Sequence, residues 1–520
     1  MEIFSNLFTG FYTAFQPDNL IACFFGVLIG TLVGVLPGIG PVGAMSILLP
    51  VTFHMSPTSA IIMLAGIYYG SMYGGSTTSI LVNIPGEAAS VVTCMEGHEM
   101  AKKGRAGAAL GIAAFGSFIA GTLGLIGLMV FAAPLSGLAL KFGYPEYFGV
   151  VLLGLTLIVY LSQASVLKGI MMGLVGIILS TVGLDPVFGS SRMTFNFIQL
   201  ADGLGMVPVA MGLFGISEVL INLEEGSTGE ILKAKIKSFF PSILEWKRST
   251  GPILRGSLLG FFLGILPGGG SVISSFASYG LEKKLSKEPE QFGKGAIEGL
   301  AGPESANNSA TAGAFVPLFT LGIPANVVMA LLFGALIIHG MQPGPFFIKQ
   351  HADIFWGVIS SMYVGNIMLL VLNLPLVPMW VQVLKVPYKI LFPLILLFCI
   401  VGSYGINNNV FDVLVMIIFG LIGYLFRKFG YESAPLILSF VLGPILELSL
   451  RQSLLLSNGS FLIFFTHPIS AIAILLATIM FITSLVTPGS AKRFLRRLQG
   501  SDGSNAGPDS AKGKETGRSG

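Results

Sequence analysis

The chain has 520 residues, of which 53% are hydrophobic and only 10% charged, with a formal net charge of +4 and a mean hydropathy of +0.82. A soluble domain carries about 25% charged residues, so the composition excludes one, and no basic face for a nucleic-acid partner is visible. Three scattered cysteines, Cys23, Cys94 and Cys399, exclude a disulfide framework and a Cys/His metal centre.

Ile3–Phe15, with its aromatics, reads as a short interfacial helix. No basic n-region or small-residue cleavage site marks a secretory signal. Apolar runs long enough to span or half-span a membrane then follow in order. Leu20–Phe53 is interrupted at Leu36–Pro41, and Thr58–Val92 near Ile84-Pro85-Gly86; Ala106–Ala133, Tyr147–Leu161, Val166–Leu184 and a weaker Gly203–Ile221 complete the first half. The second half repeats the order. Gly251–Tyr279 breaks at Pro267-Gly268-Gly269-Gly270 and Asn307–His339 at Gly322-Ile323-Pro324, before Phe355–Leu384, Ile390–Tyr404, Val410–Phe426, Ala434–Leu448 and Phe461–Val486.

The implied fold class is an all-α polytopic membrane protein. It has roughly a dozen membrane segments and two inverted-topology repeats, each holding a broken or re-entrant helical hairpin. The predicted divisions are an interfacial segment (1–19), a first membrane repeat (20–225) and a basic cytoplasmic linker (226–250). A second repeat with additional helices (251–490) and a basic, disordered cytoplasmic tail (491–520) complete the chain.

Inversion rests on charge. Lys102, Lys103 and Arg105, the run Lys233–Arg255, Lys283–Lys294, Arg427-Lys428 and Lys492–Arg497 should face the cytoplasm. Leu20–Phe53 has charge-poor ends, whereas Gly251–Tyr279 is flanked by basic loops. Parallel duplication with accidental charges is the alternative; the agreement of four loops favours inversion.

A broken helix survives in hydrocarbon only where protein or a water-lined cavity satisfies the freed backbone groups. Paired breaks therefore point to a substrate site. After each break a half-helix presents free N–H groups and a positive dipole end, suited to an anion. Gly38, Ile39 and Gly40, with Gly268, Gly269, Gly270 and Ser271, are the predicted carboxylate contacts. Ser76, Thr77, Thr78 and Asn83, with Asn307, Asn308 and Ser309, are polar but uncharged, and complete the predicted substrate and ion contacts. Isolated hydroxyls of this kind also serve as interhelical glue. Glu304, with Ser79 and Thr311, is a candidate for cation coupling, by Na⁺ or H⁺; the reading depends on Glu304 lying at membrane depth rather than in a loop. Glu87 beside Pro85-Gly86 has the same ambiguity. His-Glu-x-x-His, Walker and Gly-x-Ser-x-Gly signatures are absent, which argues against an enzyme.

Gly-x3-Gly-x-Leu-Pro-Gly-Ile-Gly-Pro at 30–41, Tyr-Gly-Ser-x-Tyr-Gly-Gly-Ser at 69–76 and Gly-x-Leu-Pro-Gly-Gly-Gly at 264–270 resemble the large membrane subunit of tripartite tricarboxylate transporters, the TctA family. Gly-Pro-Glu-Ser-Ala-Asn-Asn-Ser-Ala at 302–310 and Gly-Ile-Pro at 322–324 extend the resemblance over about residues 18–490. It implies a multi-pass permease of the bacterial inner membrane, and the basic run Lys492–Arg497 predicts a cytoplasmic C-terminus. It also implies two partners, a small integral-membrane subunit and a periplasmic solute-binding protein, with carboxylate import driven by a cation gradient. A stand-alone ion or solute carrier or channel is the alternative.

Overall fold

The computed structural model describes residues 2–36, 39–160, 165–185, 187–225, 238–268, 270–384 and 388–486. Gly38, Gly269, part of the linker (226–237) and the tail (491–520) lie outside the described residues.

The first half comprises α1 (Glu2–Ala14), α2 (Pro17–Val35), α3 (Gly40–Leu48), α4 (Pro57–Val82), α5 (Ala106–Ala139), α6 (Tyr144–Tyr160), α7 (Val166–Ser180) and α8 (Met206–Glu224). The second comprises α9 (Ile243–Ile265), α10 (Gly270–Leu285), α11 (Glu298–Leu321), α12 (Val327–Ile338), α13 (Ala352–Asn373), α14 (Val377–Val383), α15 (Tyr388–Asn407), α16 (Val410–Lys428), α17 (Ser433–Leu456) and α18 (Pro468–Val486). Strand structure among the described residues is confined to a two-residue hairpin, Gly183–Leu184 with Ser191–Arg192. Among the described residues six helices are long and apolar enough to cross a membrane, and six shorter ones are also apolar. Large apolar side chains stand exposed on several of them, for example Leu167, Leu174 and Ile178 on α7. In water such a surface would aggregate; in lipid it is the solvated face. The chain is an all-α polytopic membrane protein.

The breaks fall where the sequence places them. α2 begins with Pro17, whose missing N–H costs nothing in a first turn. It stops at Leu36, where the backbone turns extended before Pro37. α9 is entered through a capping box, Ser242 with Glu245, and stops at Leu266 in the same extended conformation. α4 and α11 end alike, on left-handed Asn83 (φ 60°) and Gly322 (φ 68°), each followed by Ile-Pro. One expectation is sharpened: α11 starts at Glu298, not Asn307, so Glu304 sits well inside a helix rather than in a loop.

Each half is built on one close-packed helix pair. Gly26, Gly30 and Gly34 of α2 lie against the carbonyls of Met63, Ile67 and Ser71 of α4; an added Cβ would come within 2.5, 2.6 and 2.2 Å of those oxygens. Gly256, Gly260 and Gly264 of α9 meet Gly302, Ala306 and Ala310 of α11 in the same way, at 2.3, 2.1 and 2.3 Å. Small residues every four positions let two backbones touch, which is how helices associate in lipid. The halves then exchange contacts. α5 packs on α11 and α9, while α13 packs on α4 and α2; α3 packs on α12, while α10 packs on the turn Ala88–Ser90. The two halves thus make corresponding contacts with their roles exchanged.

Candidate functional site

The exchanged contacts bring four helix starts to one place. A cavity of about 760 Å³ is lined by Gly40 at the start of α3, Gly270 and Ser271 at the start of α10, Asn326 before α12, and Glu87 before Ala88–Ser90. Gly40, Gly268 and Gly270 have φ of 63°, 77° and 49°, backbone that glycine adopts without strain. Space is open in front of Gly40 and Gly270, where an added Cβ would meet nothing within 4 Å. The loops are tied together: the Gly268 N–H donates to the Ala325 carbonyl at 2.8 Å.

Glu87 and Asn326 hold equivalent places. Each stands two residues after the Pro that follows a left-handed helix end, and each caps the next turn. Asn326 Oδ1 accepts from the Met329 N–H at 3.0 Å, and Glu87 Oε2 from the Ala89 N–H at 2.9 Å. Asn326 Nδ2 also donates to the Tyr68 hydroxyl at 3.0 Å, itself 3.5 Å from Ser271 Oγ. Glu87 is 8% exposed, and its second oxygen, Oε1, is buried without a hydrogen-bond partner. The same cavity is lined by Arg427 and Glu218, paired with each other at 2.5 Å, and by Glu432. Among the described residues no cluster of His, Cys, Asp and Glu could hold a metal ion.

The predicted site residues divide between two places. Ile39, Gly40, Gly268, Gly270 and Ser271 line the cavity. Ser76, Asn307 and Asn308 belong instead to a sealed cluster around Glu304, which is fully buried. Glu304 Oε2 accepts from Ser76 at 2.7 Å, and Oε1 accepts from Thr93. Asn308 Nδ2 donates to Ser117 Oγ at 2.7 Å, to the Glu304 carbonyl at 3.0 Å and to Asn307 Oδ1 at 2.5 Å. The Thr311 hydroxyl is engaged by the Asn308 carbonyl at 2.6 Å and that of Thr78 by the Val35 carbonyl at 2.6 Å. Thr77 borders a space of about 10 Å³ beside Ser76 and Ser117, large enough for one water molecule. Ser79 and Ser309 are fully buried on α4 and α11. Asn83 is exposed and does not line the cavity. The polar cavity residues that sequence reasoning left out of the site include Tyr68, Asn326, Glu218, Arg427 and Glu432; the recurrence of Ile-Pro at 84–85 and 323–324 was the signal for Asn326.

Residues 20–438 match the family model described as the tripartite tricarboxylate transporter TctA family. The chain belongs to that family. It is 50% identical over 471 residues, 91% of this chain and 94% of the relative, to an Agrobacterium vitis protein described as an uncharacterized 52.8 kDa protein in the TAR-I ttuC' 3' region. A second Agrobacterium vitis protein, described as uncharacterized and in the TAR-II ttuC' 3' region, is 52% identical over 234 residues, 45% of this chain and 97% of the relative. No solved structure matches. As a TctA-family member the chain is a membrane transport protein, and Ile39–Pro41 from the first break meet Gly268, Gly270 and Ser271 from the second at the cavity.

Proposed function

We propose that this TctA-family chain is the permease subunit of a binding-protein-dependent secondary transporter that imports tricarboxylates or related organic acids with a cation gradient. The observation that carries the reading is the cavity framed by two equivalent pairs of helix starts, Gly40 with Gly270 and Glu87 with Asn326. Free N–H groups and aligned dipoles favour anionic oxygens there, and an unpaired carboxylate has few other homes at membrane depth. Ser271, Tyr68 and Asn326 add neutral donors around it.

Charge placement supports inverted repeats, an inner-membrane location and a cytoplasmic C-terminus. On that orientation Arg427 marks the cytoplasmic end of the cavity, so the conformation is inward-facing, and the substrate enters from the opposite face by alternating access. A periplasmic solute-binding protein delivers it there, and a small membrane subunit completes the assembly. Glu304 with Ser76 and Thr93 supplies oxygens from both repeats, the kind of set a dehydrated Na⁺ takes, with Ser79 and Thr311 on the same helices. Uptake of labelled citrate and dicarboxylates into proteoliposomes tests the reading. Uptake that requires all three components and a cation gradient is expected; uptake by this chain alone would make it an independent carrier or channel.

A further inference from the structure

We propose that Glu87 is an internal anion of the substrate cavity, and that a carboxylate enters only once Glu87 has been neutralised by a proton or a small cation. The inference rests on the carboxylate-site reading above and assigns the step that makes binding depend on cations.

Glu87 is the counterpart of Asn326. Both cap a helix turn facing one cavity, and capping needs only a side-chain oxygen. Asparagine does this without charge; glutamate brings a charge that the cap does not require. One of its oxygens is engaged by the Ala89 N–H, while the other is buried without a partner beside a cavity bordered by helix starts. Isolated buried carboxylates are costly unless neutralised or paired. Burial and the neighbouring Glu304 disfavour the Glu87 anion, whereas the Ala89 N–H favours it, so the group is poised to take up a proton. A substrate carboxylate arriving there while Glu87 is charged meets a like charge, and like charges repel more strongly in a low-dielectric site than in water. Neutralising Glu87 removes that repulsion and leaves the dipoles to the substrate.

The groups around Glu87 agree. Tyr68 from α4 and Glu304 from α11 interact electrostatically with it, and neither is a cation. α10, packed on the Ala88–Ser90 turn, presents Ser271 to the cavity. Arg427, which lines the same cavity, is paired with Glu218, and Glu432 adds a further acid. Glu304 differs from Glu87 in that both its oxygens are engaged by hydroxyls in a sealed cluster, and it does not line the cavity.

The test uses the purified full chain in detergent and in proteoliposomes. Dicyclohexylcarbodiimide adds to protonated carboxyls in apolar surroundings, leaving an adduct that mass spectrometry assigns to a residue. Glu87 is expected to be labelled, less so as pH rises and less so with added Na⁺ if Na⁺ is the neutralising cation. Citrate binding by the wild type should weaken by up to about tenfold per pH unit above the titration midpoint, as a one-proton linkage requires. Glu87→Gln, a neutral mimic of its Asn326 counterpart, should bind citrate with an affinity that lacks this dependence, read against the wild type to cancel the titration of citrate itself.

Glu87→Gln with wild-type pH and Na⁺ dependence would overturn the proposal. So would Glu87 labelling that is unchanged across pH and Na⁺, a result that stands even where the variant fails to fold. The double variant Ser271→Ala with Asn326→Ala separates the two readings. Loss of citrate binding there, with cation dependence intact in Glu87→Gln, sinks the Glu87 assignment alone; retained binding sinks the carboxylate site itself.

Discussion

The two helix pairs are alike in backbone and unlike in what they bury. α2–α4 and α9–α11 use the same ladder of small residues and the same left-handed stop before Ile-Pro. Superposing the ladders, which matches Met63 with Gly302 and Ile67 with Ala306, sets Ala65 against Glu304, and Tyr68 and Tyr69 against Asn307 and Asn308. The first pair thus turns an aromatic hydroxyl toward the cavity, while the second carries a carboxylate and two amides into a sealed interior. The shared features are the ones backbone geometry demands; the features that differ separate a ligand-facing surface from an internal polar joint between repeats.

The largest expected effect tests the shared part. Gly260→Leu drives a side chain into the Ala306 carbonyl, and Gly30→Leu into that of Ile67. Each should cost more than about 3 kcal/mol, because backbone cannot yield as a side chain does. Thermal unfolding and monodisperse yield in detergent check this, and tolerance in one half only would break the equivalence of the pairs. Next comes Glu304→Ala, which strands the Ser76 and Thr93 hydroxyls and should destabilise by about 2–4 kcal/mol. Glu304→Gln keeps an acceptor and should cost less; equal losses would mean that the charge itself is held there.

Asn326→Ala removes a helix cap worth about 1 kcal/mol and the partner of Tyr68. It should weaken citrate binding more than it lowers the unfolding temperature, a split that isothermal titration beside a melt resolves. The smallest effect lies outside the helix pairs. Backbone N–H of Val187, that of Phe188 and the Arg451 guanidinium hold the Asp185 carboxyl at about 2, against partial desolvation, below its ordinary 3.8. A folded value below the unfolded one gives stability that is present above about pH 4 and lost as pH falls toward 2. Asp185→Asn should therefore flatten the melting temperature between about pH 5 and pH 3 relative to wild type.

Much of this was legible in the chain. Pro and Gly inside apolar runs dictate breaks wherever they occur, so the interruptions at 36–41, 84–86, 266–271 and 322–324 needed no tertiary information. Glu304 was legible as an unusual charge, but its depth required the start of α11, and helix starts are poorly marked when small residues such as Gly299 and Ala301 precede the apolar run. Polar residues on a membrane helix face either a ligand or another helix, and local sequence does not distinguish the two. Ser76 and Asn308 therefore read like Ser271, although the fold turns the first two into a sealed cluster and Ser271 into the cavity. The repeated Ile-Pro pairs Glu87 with Asn326 in the sequence, but only the fold brings both to one cavity.

The most direct test is a structure of the purified chain, by cryo-electron microscopy, with the carboxylate that the uptake panel identifies. Density bridging the starts of α3 and α10, within hydrogen-bond reach of Ser271 and Asn326, is expected. Density at Asn307–Ser309, with the cavity between Gly40 and Gly270 empty, would contradict it.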